Sequence, residues 1–261
     1  MRVAANLSMF YTDVPLIQRY ERAARAGFKL VEVSLPYSEP AEKLRDAADA
    51  HGLAHVLINA PTGDWSSGLR GIAALASQRA SFSASIDTAI HYARTLRCRK
   101  IHFMAGIPKE DDVATAEDTF IHNIYEAAER LGKEGFECLI EPINPITIPG
   151  YFLNSYTQAR SLLTRIASPN LKIQFDFFHA AQIAGGIPVD IDEWKEKIGH
   201  IQIAQSPGRG EPETEGTIDY AKWFAWLKDQ KDFDWVIGAE YTPTKHGDEA
   251  VEWVQMYELE F

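Results

Sequence analysis

The segments KIQFD (172–176) and HIQIA (200–204) each place one polar side chain among isoleucine and phenylalanine. Alternation along a strand sends Gln202 to the face opposite Ile201 and Ile203, and Asp176 to the face opposite Phe175. Six further runs have the same character: VAANL (3–7), LVEVS (30–34), HVLIN (55–59), KIHFM (100–104), CLIEP (138–142) and WVIGAEY (235–241). Most are followed by a helical pattern, such as Ile86, Ile90 and Ala93 or Ile121, Ile124, Ala128 and Leu131. Strand followed by helix, eight times over, calls for parallel pairing. Gly27, Gly52 and Gly135 each stand where a helix should end and the next strand begin. With 261 residues, eight such units make an α/β fold of the (β/α)8 TIM-barrel type, and one domain over residues 1–261 is expected. A doubly wound sheet would use fewer strands, and neither GxGxxG nor GxxxxGK[ST] occurs.

Composition narrows the function. The chain is 46% hydrophobic and 24% charged, with 26 Lys and Arg against 37 Asp and Glu, a net charge of −11. That balance excludes fibrous and disordered classes and argues against binding nucleic acid or an anionic membrane, which draw affinity from cationic stripes. No targeting segment or long apolar run is visible, which points to a cytoplasmic protein. Cys98 and Cys138 have no CxxC partner and read as reduced residues near the core. The acidic run at 110–112 reads as a solvated loop.

A buried parallel strand should be almost wholly apolar, yet the eight runs carry Asn6, Glu32, Asn59, His102, Glu141, Asp176, Gln202 and Glu240 near their C-terminal ends. Burying such groups is costly unless they are paired, and the C-terminal face is where barrel enzymes keep their chemistry. Glu141, Asp176, Gln202 and Glu240 come from the fifth to eighth strands in succession. Three carboxylates and an amide oxygen repel one another unless a cation joins them, and an all-oxygen set suits Mg²⁺ or Mn²⁺. Any one of these acids alone would read as a strand-end carboxylate or a helix cap.

The same residues lie in segments that resemble the hydroxypyruvate isomerase family of xylose-isomerase-like barrels: LIEPIN (139–144), FDFFH (175–179), HIQIAQSPGRGEP (200–212) and GAEY (238–241). ANLSMF (5–10), NAPTGDW (59–65) and HFMAG (102–106) are similar too, so the resemblance runs from the first strand to the last. It implies a metal held by Glu141, Asp176, Gln202 and Glu240, with Gln202 marking the isomerase branch. The chain departs from the family pattern at Pro145 and Ile146, where a Thr-Arg pair is common, at Ala181, and at Leu69, where the family often has Glu.

The activity so implied is interconversion of hydroxypyruvate and 2-hydroxy-3-oxopropanoate (tartronate semialdehyde) through an enediolate. Glu141 and Glu240 would flank the substrate as proton carriers, and His179 would donate to the developing oxyanion or else cap the next helix. An anionic keto acid entering an acidic protein needs a local cation, for which Arg209 is the first expectation and Arg70 the second. Trp65 and Phe10 would wall the pocket or pack in the core. His55, His102 and His200 are expected to be hydrogen-bonded barrel residues rather than ligands. A 2-oxo-tetronate isomerase or a ketose epimerase differs mainly in pocket size. A DNA-repair endonuclease would show a His-rich multi-zinc site and a basic groove, and a non-catalytic binding barrel is the remaining class. A homo-oligomer is compatible with the sequence.

Overall fold

The computed structural model describes residues 1–109, 112–185, 191–245 and 247–261. Among them, eight strands alternate with eight α-helices: β1 (Arg2–Asn6), α1 (Leu16–Arg25), β2 (Leu30–Val33), α2 (Ala41–Ala50), β3 (Ala54–Asn59), α3 (Arg79–Leu96), β4 (Lys100–His102) and α4 (Ala116–Glu134) make the first half. The second half is β5 (Glu137–Ile140), α5 (Tyr156–Ile166), β6 (Leu171–Asp176), α6 (Phe177–Ala184), β7 (Ile198–Ile203), α7 (Tyr220–Asp229), β8 (Val236–Ala239) and α8 (Glu252–Met256). Every neighbouring pair is parallel, and β8 pairs with β1, so the sheet closes as a (β/α)8 barrel.

The helices form because apolar residues recur on one face. In α4, Phe120, Ile124, Ala127, Ala128 and Leu131 are all buried against the sheet, which stabilises by about 1.5–3 kcal/mol for each large side chain. Gly135 then caps the helix in the left-handed conformation, φ 77°, and Gly27 and Gly52 also have positive φ, as their positions before β2 and β3 demand. Cys98 and Cys138 are free and buried.

Inside the barrel the side chains form levels along the axis. Ala4, Leu30 and Val236, with Val56 against them, make an apolar floor separate from the main core. Two residues further along the same strands stand Asn6, Glu32 and Gly238, the last in register with Gln202 of β7. Asp176 is level with Gln202, and Glu141 and Glu240 follow just past the ends of their strands. Polarity in these strands thus belongs to the inward face near the C-terminal end, as period-two alternation requires.

The acidic run at 110–112 needs correction. Glu110 and Asp111 lie outside the described residues, but Asp112 is buried and accepts hydrogen bonds from Ser77 N (3.1 Å) and Ser77 Oγ (3.2 Å). It ties the loop after β4 to the start of α3. No described helix is long and apolar enough to cross a membrane.

Candidate active site

A pocket of about 480 Å³ opens at the C-terminal end of the barrel. Glu141, Gln174, His179, Arg209 and Glu240 line it on one side, and Ser8, Ser34, Asn59, Arg70 and His102 on the other. Glu141 and Glu240 each sit one residue past their strands, β5 and β8. Asp176 ends β6 and is fully buried.

The carboxylates are only partly satisfied. Glu141 Oε2 accepts from Gln174 Nε2 at 2.9 Å, while its Oε1 has no hydrogen-bond partner. Asp176 Oδ1 accepts from Phe178 N at 2.8 Å and so caps α6, which leaves Oδ2 unpartnered. Glu240 Oε2 takes a 2.7 Å ion pair from Arg209 Nη2, and its Oε1 accepts from Asn6 Nδ2 at 3.2 Å. Gln202 lies beside Asp176 in the β6–β7 register; its Oε1 accepts from Gln174 Nε2 at 2.6 Å and its Nε2 donates to Glu32 at 2.7 Å.

Burial with too few counter-charges dictates the protonation. Desolvation, then the Glu240 and Asp176 charges, push Glu141 well above the ordinary carboxylate range. Desolvation raises Glu240 to about 7 and Asp176 to about 6, in both cases against the pull of Arg209. Three carboxylates facing one guanidinium leave two negative charges uncompensated, and two buried oxygens, Glu141 Oε1 and Asp176 Oδ2, have no donor. A divalent cation fits that deficit, and the oxygen-rich donor set suits a hard ion. Glu141, Asp176 and His179 each place one ligand-type atom so that the three lie within 4.8 Å of one another. The imidazole, however, turns a protonated nitrogen to the site. Its Nδ1 accepts from Asn144 N (3.3 Å) and faces Asn144 Nδ2 at 2.7 Å, so in the neutral ring Nε2 carries the proton. Burial holds His179 neutral by lowering its pKa well below the ordinary value. It is therefore a donor towards the pocket, with Nε2 at 3.7 Å from Asp176 Oδ2, and the helix cap expected as its other role is provided by Asp176 itself.

Both arginines line the pocket, and they are held differently. Arg209, held in the left-handed backbone region (φ 54°), is committed to Glu240 and lies 4.9 Å over the Phe178 ring. Arg70 has no ion pair among the described residues; it stacks 4.3 Å over Trp65 and donates to the Trp65 and Leu69 carbonyls. Gly71 holds this loop against β4: its φ is 108° and it bridges to Ala105, and a Cβ there would fall 2.4 Å from Met104 O. Trp65 lines the pocket, whereas Phe10 is buried in the core against Phe28 and Tyr241. His55 and His200 are hydrogen-bonded as expected, to Tyr20 Oη and Glu32 Oε2. His102 is not: neither ring nitrogen has a hydrogen-bond partner, and Nε2 stands 3.7 Å from Glu141 Oε2. Gln174 is the residue missed in the sequence, although it shares the inward face of β6 with Asp176.

Residues 20–257 match the family model for xylose isomerase-like TIM barrels. A Caenorhabditis elegans protein provisionally named a hydroxypyruvate isomerase is 51% identical over 261 residues, which cover 100% of this chain and 98% of that one. The chain belongs to the hydroxypyruvate isomerase family. The Escherichia coli K12 hydroxypyruvate isomerase is 37% identical, covering 98% of this chain and 99% of its own. A 2-oxo-tetronate isomerase of Cupriavidus necator is 38% identical, covering 98% of each. Among solved structures, an AP endonuclease, family 2 from Brucella melitensis superposes with a TM-score of 0.93 at 37% identity, with 98% of both chains covered. Membership in the hydroxypyruvate isomerase family accounts for the barrel.

Proposed function

We propose that the protein interconverts hydroxypyruvate and 2-hydroxy-3-oxopropanoate. The observation that carries this reading is the pair Glu141, buried, and Glu240, partly buried, which line one pocket and whose proton affinity is raised by desolvation, Glu141 well above the ordinary carboxylate range and Glu240 to about 7. Such groups accept and return a proton near neutral pH, which is what aldose–ketose exchange needs. One glutamate removes a C3 proton from the CH2OH carbon of hydroxypyruvate. The C3 hydroxyl hydrogen passes to the C2 oxygen, and delivery of a proton to C2 leaves an aldehyde at C3. His179 Nε2–H donates to the oxyanion, and Arg209 keeps Glu240 ionised when it serves as base. Arg70, stacked on Trp65 without an acidic partner among the described residues, takes the substrate carboxylate.

Glu141, Asp176, Gln202 and Glu240 would hold Mg²⁺ or Mn²⁺, which supplies charge stabilisation for the enediolate when bound. The 2-oxo-tetronate relative and a pocket of about 480 Å³, roomy for a three-carbon acid, favour a four-carbon acid as the second reading. The test measures kcat/KM for hydroxypyruvate, a 2-oxo-tetronate and a neutral ketohexose, before and after chelation and reloading with Mn²⁺. Preference for hydroxypyruvate, lost on chelation, supports the proposal. Full activity in chelator removes the metal, and faster turnover of the hexose removes the keto-acid reading.

A further inference from the structure

Below the pocket floor lies a polar cluster whose central residue has no task in the chemistry above. Its centre is Glu32 of β2, wholly buried. Three side chains from other strands reach it: Asn6 Nδ2 at 2.8 Å, His200 Nε2 at 2.7 Å and Gln202 Nε2 at 2.7 Å. β8 is recessed to admit it, since a Cβ on Gly238 would fall 2.4 Å from Glu32 Oε2.

Two routes run upward from this carboxylate. Asn6 Nδ2 donates also to Glu240 Oε1 at 3.2 Å. Gln202 Oε1 accepts from Gln174 Nε2 at 2.6 Å, and the same amide nitrogen donates to Glu141 Oε2 at 2.9 Å. Both candidate proton carriers are therefore joined through Glu32 by an unbroken series of hydrogen bonds. The direction of those bonds matters, because a side-chain amide has a donor end and an acceptor end of nearly equal shape. The Glu32 carboxyl accepts from the NH2 ends of Asn6 and Gln202, an orientation that Ser8 N supports by donating to Asn6 Oδ1 at 2.9 Å, and this leaves Gln202 Oε1 on the far side. That oxygen is the one atom through which Gln202 can meet a cation.

We propose that Glu32 is a positioning residue: it fixes the orientation of the Gln202 and Asn6 amides and through them the placement of Glu141 and Glu240. This rests on the isomerase reading above, and it assigns work to a carboxylate that touches neither substrate nor cation.

The experiment compares Glu32→Gln and Glu32→Asp with wild type. Calorimetry on chelator-stripped protein reads Mn²⁺ affinity, and steady-state kinetics with hydroxypyruvate read kcat and KM. Gln keeps the shape of the side chain but can present an NH2 where only an acceptor works, whereas Asp keeps the acceptor and loses one methylene. Positioning ranks Gln below Asp, with kcat lower by ~100-fold and Mn²⁺ affinity by ~10-fold in Glu32→Gln, smaller losses in Glu32→Asp, and KM within ~3-fold in both. A packing role ranks them in the opposite order, because Gln is the closer isostere. That opposite order, or wild-type values in Glu32→Gln, overturns the proposal. Should Glu32→Gln fail to fold, Glu32→Asp decides: a ~10-fold fall in kcat and in Mn²⁺ affinity with KM and Tm close to wild type supports positioning, whereas wild-type kcat and affinity, or a loss accompanied by a matching fall in Tm, overturns it. Failure of the isomerase reading shows separately, in wild type that turns over no hydroxypyruvate, and the Mn²⁺ ranking then carries the test. Wild type that binds no Mn²⁺ leaves the kcat ranking to carry it, and failure of both in wild type overturns both proposals.

Discussion

The two halves of the barrel present opposite walls to the same pocket. The loops and strand ends after β5 to β8 supply Glu141, His179, Arg209 and Glu240, with Asp176 buried behind them, while those after β1 to β4 supply Ser8, Ser34, Asn59 and His102. One wall carries charge and raised proton affinities. The other is neutral, since burial holds the His102 pKa down to about 3, and its one charged contributor is Arg70 on the loop after β3. On the function proposed above, the contrast separates two tasks that share one cavity: the reacting atoms would lie against the second half, and the first would set the shape and charge of the acceptable substrate.

The most severe way to break that division is to neutralise either proton carrier. Glu141→Gln and Glu240→Gln should each lower kcat by about 10³-fold or more, with deuterium from D2O no longer entering the substrate by NMR and the circular dichroism unchanged. Retained exchange in both variants would move the chemistry off the second half.

Arg70→Ala tests the other wall. It should cost about 10²-fold in kcat/KM for hydroxypyruvate and much less for a neutral ketose, as expected when the cation that pairs with the substrate carboxylate is removed. An equal loss on both substrates would show that Arg70 shapes the loop rather than reading the carboxylate.

A third measurement concerns pH and uses metal-free protein. Burial lifts Glu240 from its ordinary 4.5 to about 7, so the folded state holds that proton more tightly than the unfolded chain. The stability this group contributes is complete below the ordinary value and disappears as pH rises through the folded one. Glu240→Gln has no such loss, and should gain on wild type by about 2 kcal/mol, a few degrees in Tm, between mildly acidic and mildly alkaline pH. Parallel Tm curves for the two proteins would show that Arg209 already compensates the carboxylate in full. The smallest effect is expected from Trp65→Leu, which removes the ring under Arg70: KM for hydroxypyruvate should rise ~3- to 5-fold with kcat nearly unchanged.

How far the molecule could be read from its sequence follows the range of each interaction. The strands were legible because Val, Ile and Phe runs begin just after helix-capping glycines, and both signals are local. Strand ends were less so: WVIGAEY shortens to Val236–Ala239 and CLIEP to a strand ending at Ile140, which puts Glu240 and Glu141 in the loops that face the pocket. The inward polar set was legible from alternation, and Gln174 was available by the same rule applied one step back from Asp176. The Arg209–Glu240 pair was not, because it joins residues 31 apart through a turn that holds Arg209 at φ 54°. The burial of Asp112 was hidden in the same way by a serine 35 residues away. For His102, no local pattern distinguishes a bonded imidazole from one left without a partner.

The recess at Gly238 also couples two positions in any substitution series. Alanine at 238 would meet the Glu32 carboxyl at 2.4 Å, where three hydrogen bonds leave it little room to move. Glu32→Asp withdraws that carboxyl by one methylene and frees the space. Gly238→Ala should therefore be damaging in the wild-type background and milder beside Glu32→Asp, a sign of epistasis between strands β2 and β8, which are separated in the sheet by β1. A library that varies either position alone would record both as immutable, and the accessible route between sequences at this level of the barrel runs through the pair.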